Sequence, residues 1–386
     1  MRIDTDYLEK TLAGLVRINS INPFFTQGEE QRTDESAIAA YLAGELERLG
    51  MRVTSHEPEP GRVSVVGTLP GTGGGRSLLL YGHMDTVNVE GMAAPFSAEV
   101  RDGRMYGRGT YDMKGGLAAC VAAAKAVIDS GVRLAGDLSV VGVADEEVAS
   151  LGLLDLLKTL KADACIVTEA TELDVCVAHK GFCWFEVETF GRAAHGSRFL
   201  EGVDANLRMG RFLGHLDRLE RQLRESPGHP LVGPPTLHAA TLRGGTGPST
   251  YAAHCRLEVE RRTIPGETEA GTLAEMQGIL DRLKDEDPAF QGSVRTLLAR
   301  PPFEVAPEAA IVQAVDRAAA EVLGRRPATI GHTFWMDASL FAEAGIETVV
   351  IGPVGAGAHA VEEWVDLDSV AKLADILARA AVAHCG

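Results

Sequence analysis

At 386 residues with 45% hydrophobic side chains, the chain can fill more than one core, and two domains are expected. A formal charge of −17, with no basic block to offset it, excludes nucleic acid and an anionic membrane surface as partners. No run reaches the roughly 18 apolar residues of a membrane span, and the opening MRIDTDYLEK has no apolar signal core, so a cytoplasmic protein is expected.

Asp4 to Asn19 reads as an amphipathic helix with Leu8, Leu12, Leu15 and Val16 on one face, broken at Pro23. Thr33-Asp34-Glu35-Ser36 caps a second helix that ends at Gly50. Arg52 to Ser55 and Ser64 to Thr68 are expected strands. The Gly-rich turn 69–75 precedes a strand instead of joining strand to helix, so it is no phosphate loop. Leu78 to Tyr81, Leu138 to Val143 and Ala164 to Val167 read as buried strands, with helices Gly116 to Ile128 and Gly152 to Leu160 between them. That alternation predicts an α/β fold with a mainly parallel sheet flanked by helices.

The pattern changes near Lys180. Strand Phe182 to Thr189, helix Asn206 to Leu223, strands Thr236 to Leu242 and Cys255 to Arg261, helix Thr272 to Glu286 and strand Val294 to Ala299 follow in turn. This is the order of an α+β, ferredoxin-like unit. The expected domains are a catalytic domain over 1–179 and 301–386, with 180–300 inserted. After Pro301-Pro302 come helix Ala309 to Leu323, a helix around Asp337 to Ala344, strand Thr348 to Ile351 and helix Ser369 to His384. The six cysteines form no C-x-x-C, and most read as small buried hydrophobes in a reducing compartment.

Three of the buried strands end in acid or imidazole: His83 and Asp85, Glu146 and Glu147, and Glu169. Ligands gather at the carboxyl ends of such strands. Asp112, after a Gly-rich loop, and His359 complete the set. Each alone has an ordinary reading as a core histidine or a solvated acid. Together they bring more buried acid than a fold tolerates without cations. His83, Asp112, Glu147, Glu169 and His359 offer the mixed nitrogen and oxygen donors that Zn²⁺, Co²⁺ or Mn²⁺ accept. Two ions about 3.5–4 Å apart need a bridging carboxylate plus a His and a carboxylate each, and five residues divide that way. Glu146 or Glu147 can take the proton of a bridging water while the other ligates. Asp85 can receive the second ring N–H of His83.

The runs GHMDTV (82–87), GRGTYDMKGG (107–116), ADEEVASLG (144–152), VTEAT (167–171), GRAAHGS (191–197) and GPVGAGAHAVEEWV (352–365) resemble, in order, those of the M20 family of dinuclear metallopeptidases and deacylases. That group holds acetylornithine deacetylase, succinyl-diaminopimelate desuccinylase, aminoacylase and glutamate carboxypeptidase. The resemblance implies two divalent ions per chain, zinc foremost. Asp112 would bridge them, with His83 and Glu169 on one and Glu147 and His359 on the other. Glu146 would be the general base and Asp85 the partner of His83. The inserted domain would be a lid through which a homodimer forms, closing over the substrate. Its His195 would reach across the dimer to the substrate carbonyl oxygen. Asn206, Arg262 and the Gly244–Gly247 run, Gly245 included, would line the substrate side. The Arg262 fork matches a carboxylate, against a surface ion pair with Glu258, Glu260 or Glu267. Trp335 is expected in a pocket wall or in packing.

The expected reaction is hydrolysis of an N-acyl amino acid. A carboxypeptidase or dipeptidase is the alternative. A desuccinylase is less favoured, because GHTFWMDASLF (331–341) lacks that branch's arginine. A non-catalytic relative is opposed by the presence of every ligand and Glu146. A serine hydrolase is opposed by the lack of any G-x-S-x-G.

Overall fold

The structure is a computed structural model and describes residues 1–26 and 33–386. The chain forms two compact units. The first comprises residues 1–177, 305–330 and 336–386; the second comprises 178–304 and 331–335.

In the first unit the sheet runs Arg52–His56, Ser64–Leu69, Leu138–Val143, Leu78–His83, Ala164–Val167, Glu347–Val350, Val175–His179. Its four middle strands are parallel, and both margins are antiparallel. The three central strands that carry the polar ends are buried at every position, which is why they show apolar runs and no alternation. The α/β class read from the sequence is present. Helices Thr5–Arg17, Gly115–Asp129, Ala310–Leu323 and Leu367–Cys385 contribute to one core with these strands. Gly115–Asp129 is rich in alanine because it approaches its neighbours closely. A methyl group on Gly116 would lie 2.2 Å from the Thr168 carbonyl oxygen.

A small sheet escaped the sequence reading. Gly355–Ala356, Trp364–Asp366, Arg104–Tyr106 and Glu99–Arg101 are strands of two or three residues, too short for periodicity to show. Pairing of Trp364 with Tyr106 brings the segment after His359 beside the loop that carries Asp112. At the start of the second helix, Ser36–Arg48, Asp34 of the expected capping run accepts the Ser36 N–H. Glu35 makes no capping bond; its side chain is buried and pairs with Arg62.

The second unit is an antiparallel sheet in the order Thr236–Gly244, His254–Thr263, Gly181–Phe190, Gly292–Arg300. Helices Ala205–Arg224 and Glu269–Glu286 share a core with Phe185, Val187, Leu257 and Val259 from the middle strands. Residues 331–335, read as part of the returning domain, group here instead. Trp335 packs edge-on against Phe182, with ring centroids 5.9 Å apart, and near His179. All six cysteines are free and buried. Among the described residues no helix is long and apolar enough to cross a membrane.

Two glycines test this packing in opposite directions. Gly116→Ala should destabilise the protein by about 1–3 kcal/mol through overpacking against Thr168. Gly210, in the helix Ala205–Arg224, has open space where a methyl group would stand, with no neighbour within 4 Å. Gly210→Ala should leave the melting temperature unchanged or raise it, by up to about 1 kcal/mol of helix propensity. Calorimetric melting of both variants checks the pair, and an unshifted Gly116→Ala contradicts the close approach.

Candidate metal centre

His83 is the last residue of its strand and fully buried. Its Nδ1 lies 3.0 Å from the backbone carbonyl of Asp85. A carbonyl only accepts, so Nδ1 carries a hydrogen, and Nε2 is the nitrogen that faces the acids and would be left to ligate a metal. That Nε2 is 3.0 Å from Asp112 Oδ1 and 3.5 Å from Glu169 Oε1. The Asp85 carboxylate stands 3.6 Å from Nδ1, and its shorter bonds go elsewhere. Its Oδ1 accepts the Glu146 N–H and its Oδ2 accepts the Glu147 N–H and Asn22 Nδ2. One carboxylate thus fixes the backbone of both adjacent glutamates.

Asp112 sits in a turn ahead of the helix Gly115–Asp129. The backbone leaves helical values there, at φ −119° and ψ 94°. Gly109, at φ +81°, opens the turn, where a methyl group would lie 2.8 Å from Thr86 Cγ2. The second oxygen of Asp112 is 3.2 Å from Nε2 of His359, and that nitrogen is 3.1 Å from Glu147 Oε2. His359 holds the left-handed conformation at φ +60°, uncommon for a residue with a Cβ and of a kind that gathers at functional sites. Glu146 Oε2 stands 4.0 Å from His83 Nε2. The five expected ligands and Glu146 therefore meet at one place.

The donor set fits divalent ions. With bonds of about 2.0 Å, tetrahedral ligand atoms stand roughly 3.3 Å apart, and the four contacts of the two imidazoles span 3.0–3.5 Å. The electrostatics agree. Burial, with neighbouring acids, pushes Glu146 well above the usual carboxylate range, Glu169 up to about 8 and Glu147 up to about 7. Burial also opposes the charge on Asp112, but the hydrogen bonds of His359 and His83 outweigh it and keep that carboxylate low. His359 is raised to about 10 by its bonds to Asp112 and Glu147. His83 is raised too, its acidic partners outweighing burial. The cluster draws positive charge from protons; divalent cations supply it directly.

Several supporting residues were assigned no site role from the sequence. Asn22 donates to both Asp85 and Asp145, and buried Arg62 pairs with Asp145 and Glu35. The Tyr81 hydroxyl donates to buried Asp337, whose carboxyl burial pushes up to about 6. Buried Glu363 bonds to the Asp112 loop. Asn22, Arg62 and Tyr81 are single polar residues among loops or apolar runs, and only the folded chain shows their partners.

The remaining expected site residues lie in the second unit. Asn206 and Gly245 are brought together: a methyl group on Gly245 would lie 3.3 Å from Asn206 Nδ2, and one on Gly244 would meet Asn206 Oδ1 at 2.0 Å. His195 is exposed, with its Nδ1 2.8 Å from Ser197 Oγ. Arg262 pairs with Glu260 at 2.7 Å and lies over the Phe182 ring. Glu267 binds Arg261 instead, and Glu258 binds Arg256.

Residues 79–383 match the family described as Peptidase family M20/M25/M40. The chain is 32% identical to an acetylornithine deacetylase of Myxococcus xanthus over 332 residues, 84% of this chain and 85% of that one. It is 28% identical over 381 residues to an N-formyl-4-amino-5-aminomethyl-2-methylpyrimidine deformylase of Bacillus subtilis, covering 90% and 89%. The aminopeptidase PepT of Bacillus cereus shares the fold with a TM-score of 0.80 at 21% identity, over 99% of each chain. The carboxylate-rich strand ends, the paired imidazoles and the length of the match agree, and the chain belongs to peptidase family M20/M25/M40, a family of metal-dependent hydrolases.

Proposed function

We propose that the chain is a two-metal deacylase that hydrolyses the amide bond of an N-acyl amino acid. The observation that carries this reading is the division of Asp112, which offers one oxygen toward each imidazole. His83 and Glu169 would hold one ion, Glu147 and His359 the other, and Asp112 both. Zinc suits these donors, as do cobalt and manganese. Bound ions would supply a water that ionises near neutral pH and a Lewis acid for the amide oxygen.

The protein's own groups then act as follows. The Glu146 carboxylate enters no hydrogen bond among the described residues, while Asp85 fixes its backbone. It is placed to take a proton from the attacking water on one oxygen and hand it to the leaving nitrogen. The Asp85 carbonyl holds the ring of His83 in one tautomer. In the second unit, His195 would donate to the substrate carbonyl oxygen, Arg262 would exchange Glu260 for a substrate carboxylate, and Asn206 and Gly245, at the other end of the strand pair, would line the substrate side. The strand Thr236–Gly244 is an exposed edge, paired on one side only among the described residues. It suits pairing with a second copy in a homodimer. Six cysteines outside any disulfide favour a cytoplasmic location.

Deacylation is preferred over peptide cleavage because two relatives similar over most of the chain are, by name, a deacetylase and a deformylase. On a panel, N-acetyl and N-formyl amino acids should exceed dipeptides in kcat/KM by at least about tenfold, a transition-state preference of roughly 1.4 kcal/mol. The opposite order would replace this reading with a dipeptidase.

Glu146→Gln should lower kcat by roughly 10²–10⁴-fold while two ions per chain remain bound. An active wild-type enzyme holding one ion per chain by metal analysis would remove the two-metal basis. His195→Ala should cost on the order of 10²–10³ in kcat. Unchanged turnover at intact metal content would withdraw its role.

A further inference from the structure

Glu363 has no part in the reaction described above, yet its side chain is fully buried against the loop that carries Asp112. Oε1 accepts the N–H groups of Tyr111, at 2.9 Å, and Asp112, at 3.1 Å. Oε2 accepts the Gly109 N–H at 3.0 Å and Arg108 Nη1 at 2.6 Å. A carboxylate offers about four acceptor positions, and all are taken, three of them by backbone of one turn. The carbonyl of Glu363 also accepts the Gly107 N–H. Arg108, equally buried, spends its other donors on two further segments. Nε donates to the Asn88 carbonyl at 3.0 Å and Nη2 to the Ala360 carbonyl at 2.9 Å.

The segments joined in this way are the ones that bear ligands. Asn88 lies beyond His83 and Asp85, Gly109 to Asp112 hold the shared carboxylate, and Ala360 adjoins His359. Neither Asp112 nor His359 stands on a regular helix or strand, and loops alone do not hold side chains to the roughly 0.5 Å that a site of this kind needs. The short strand Trp364–Asp366 brings Glu363 to the turn; it does not aim the turn.

We propose that Glu363, together with Arg108, is a positioning residue that sets Asp112 and His359 at the spacing a shared pair of ions requires. The proposal rests on the two-metal reading above. The carboxylate shapes the turn from which Asp112 projects, and the guanidinium carries that position across to His359. Neither group touches metal or substrate.

The test uses the full chain, stripped by chelator and reloaded with Co²⁺, read by calorimetry, by visible absorption and by kcat and KM. Glu363→Gln keeps the size but sets an amide N–H₂ against donors. Its Co²⁺ affinity should fall about 10–100-fold, as for partners that orient metal ligands. Its Co²⁺ spectrum should change, and kcat should fall with KM little altered. Arg108→Met keeps the three backbone bonds and should show a smaller loss in the same direction; it is the variant read where Glu363→Gln does not fold. Wild-type affinity and spectrum in a folded variant would overturn the proposal, whatever its melting temperature. So would failure of both variants to fold, which would make the pair a requirement of the fold alone. A wild-type protein that binds fewer than two Co²⁺, or cleaves nothing on the panel, speaks against the two-metal reading. The contrast between variant and wild type judges Glu363 separately.

Discussion

A carboxylate taken out of water must be met by cations or by hydrogen bonds. Asp85, Asp112, Glu146, Glu147, Glu169 and Asp337 all sit in or beside one cluster at the carboxyl ends of parallel strands, with His83 and His359 among them. Four of these acids fall into two kinds. Asp85 is saturated by backbone and amide donors and serves as framework. Glu146, Glu147 and Glu169 accept no backbone or amide N–H among the described residues, and burial, with neighbouring acids, pushes their protonation equilibria upward. Those three are open to a metal or a proton, whereas Asp112 is met by both imidazoles. The division between framework and function is thus written in hydrogen bonds.

The strand pattern was legible because burial on both faces leaves a plain mark, an unbroken apolar run. The ligands at the strand ends were legible because three such runs end in acid or imidazole, where one alone has an ordinary explanation. The second unit was legible from its order of elements and from alternation such as that of Gly181–Phe190. What escaped was of another kind. The short strands around 99–106 and 355–366 have no length over which a period can repeat. Within the expected capping run 33–36, Asp34 bonds the helix start while Glu35 turns inward to Arg62, 27 residues on. Asp85 was expected to serve His83 through its carboxylate. The carbonyl of the same residue does so at shorter range, and the carboxylate bonds to groups more than 60 residues away.

The order in which ligands occur along the chain bears on how the centre forms. His83, Glu147 and Glu169 come from neighbouring strands, and their positions follow once the parallel sheet is paired. Asp112 and His359 do not. Their meeting depends on the closing segment docking onto Arg104–Tyr106 and on contacts between residues about 250 apart in sequence. Contacts so distant carry a loop-closure cost that local pairing avoids. One half of the site is therefore inherent in the sheet, and the other half is assembled on it. Metal that binds only the complete set would favour the assembled state by mass action. The bonds of Arg108 and Glu363 lie at that junction, where docking of the last segment becomes geometry at the ligands.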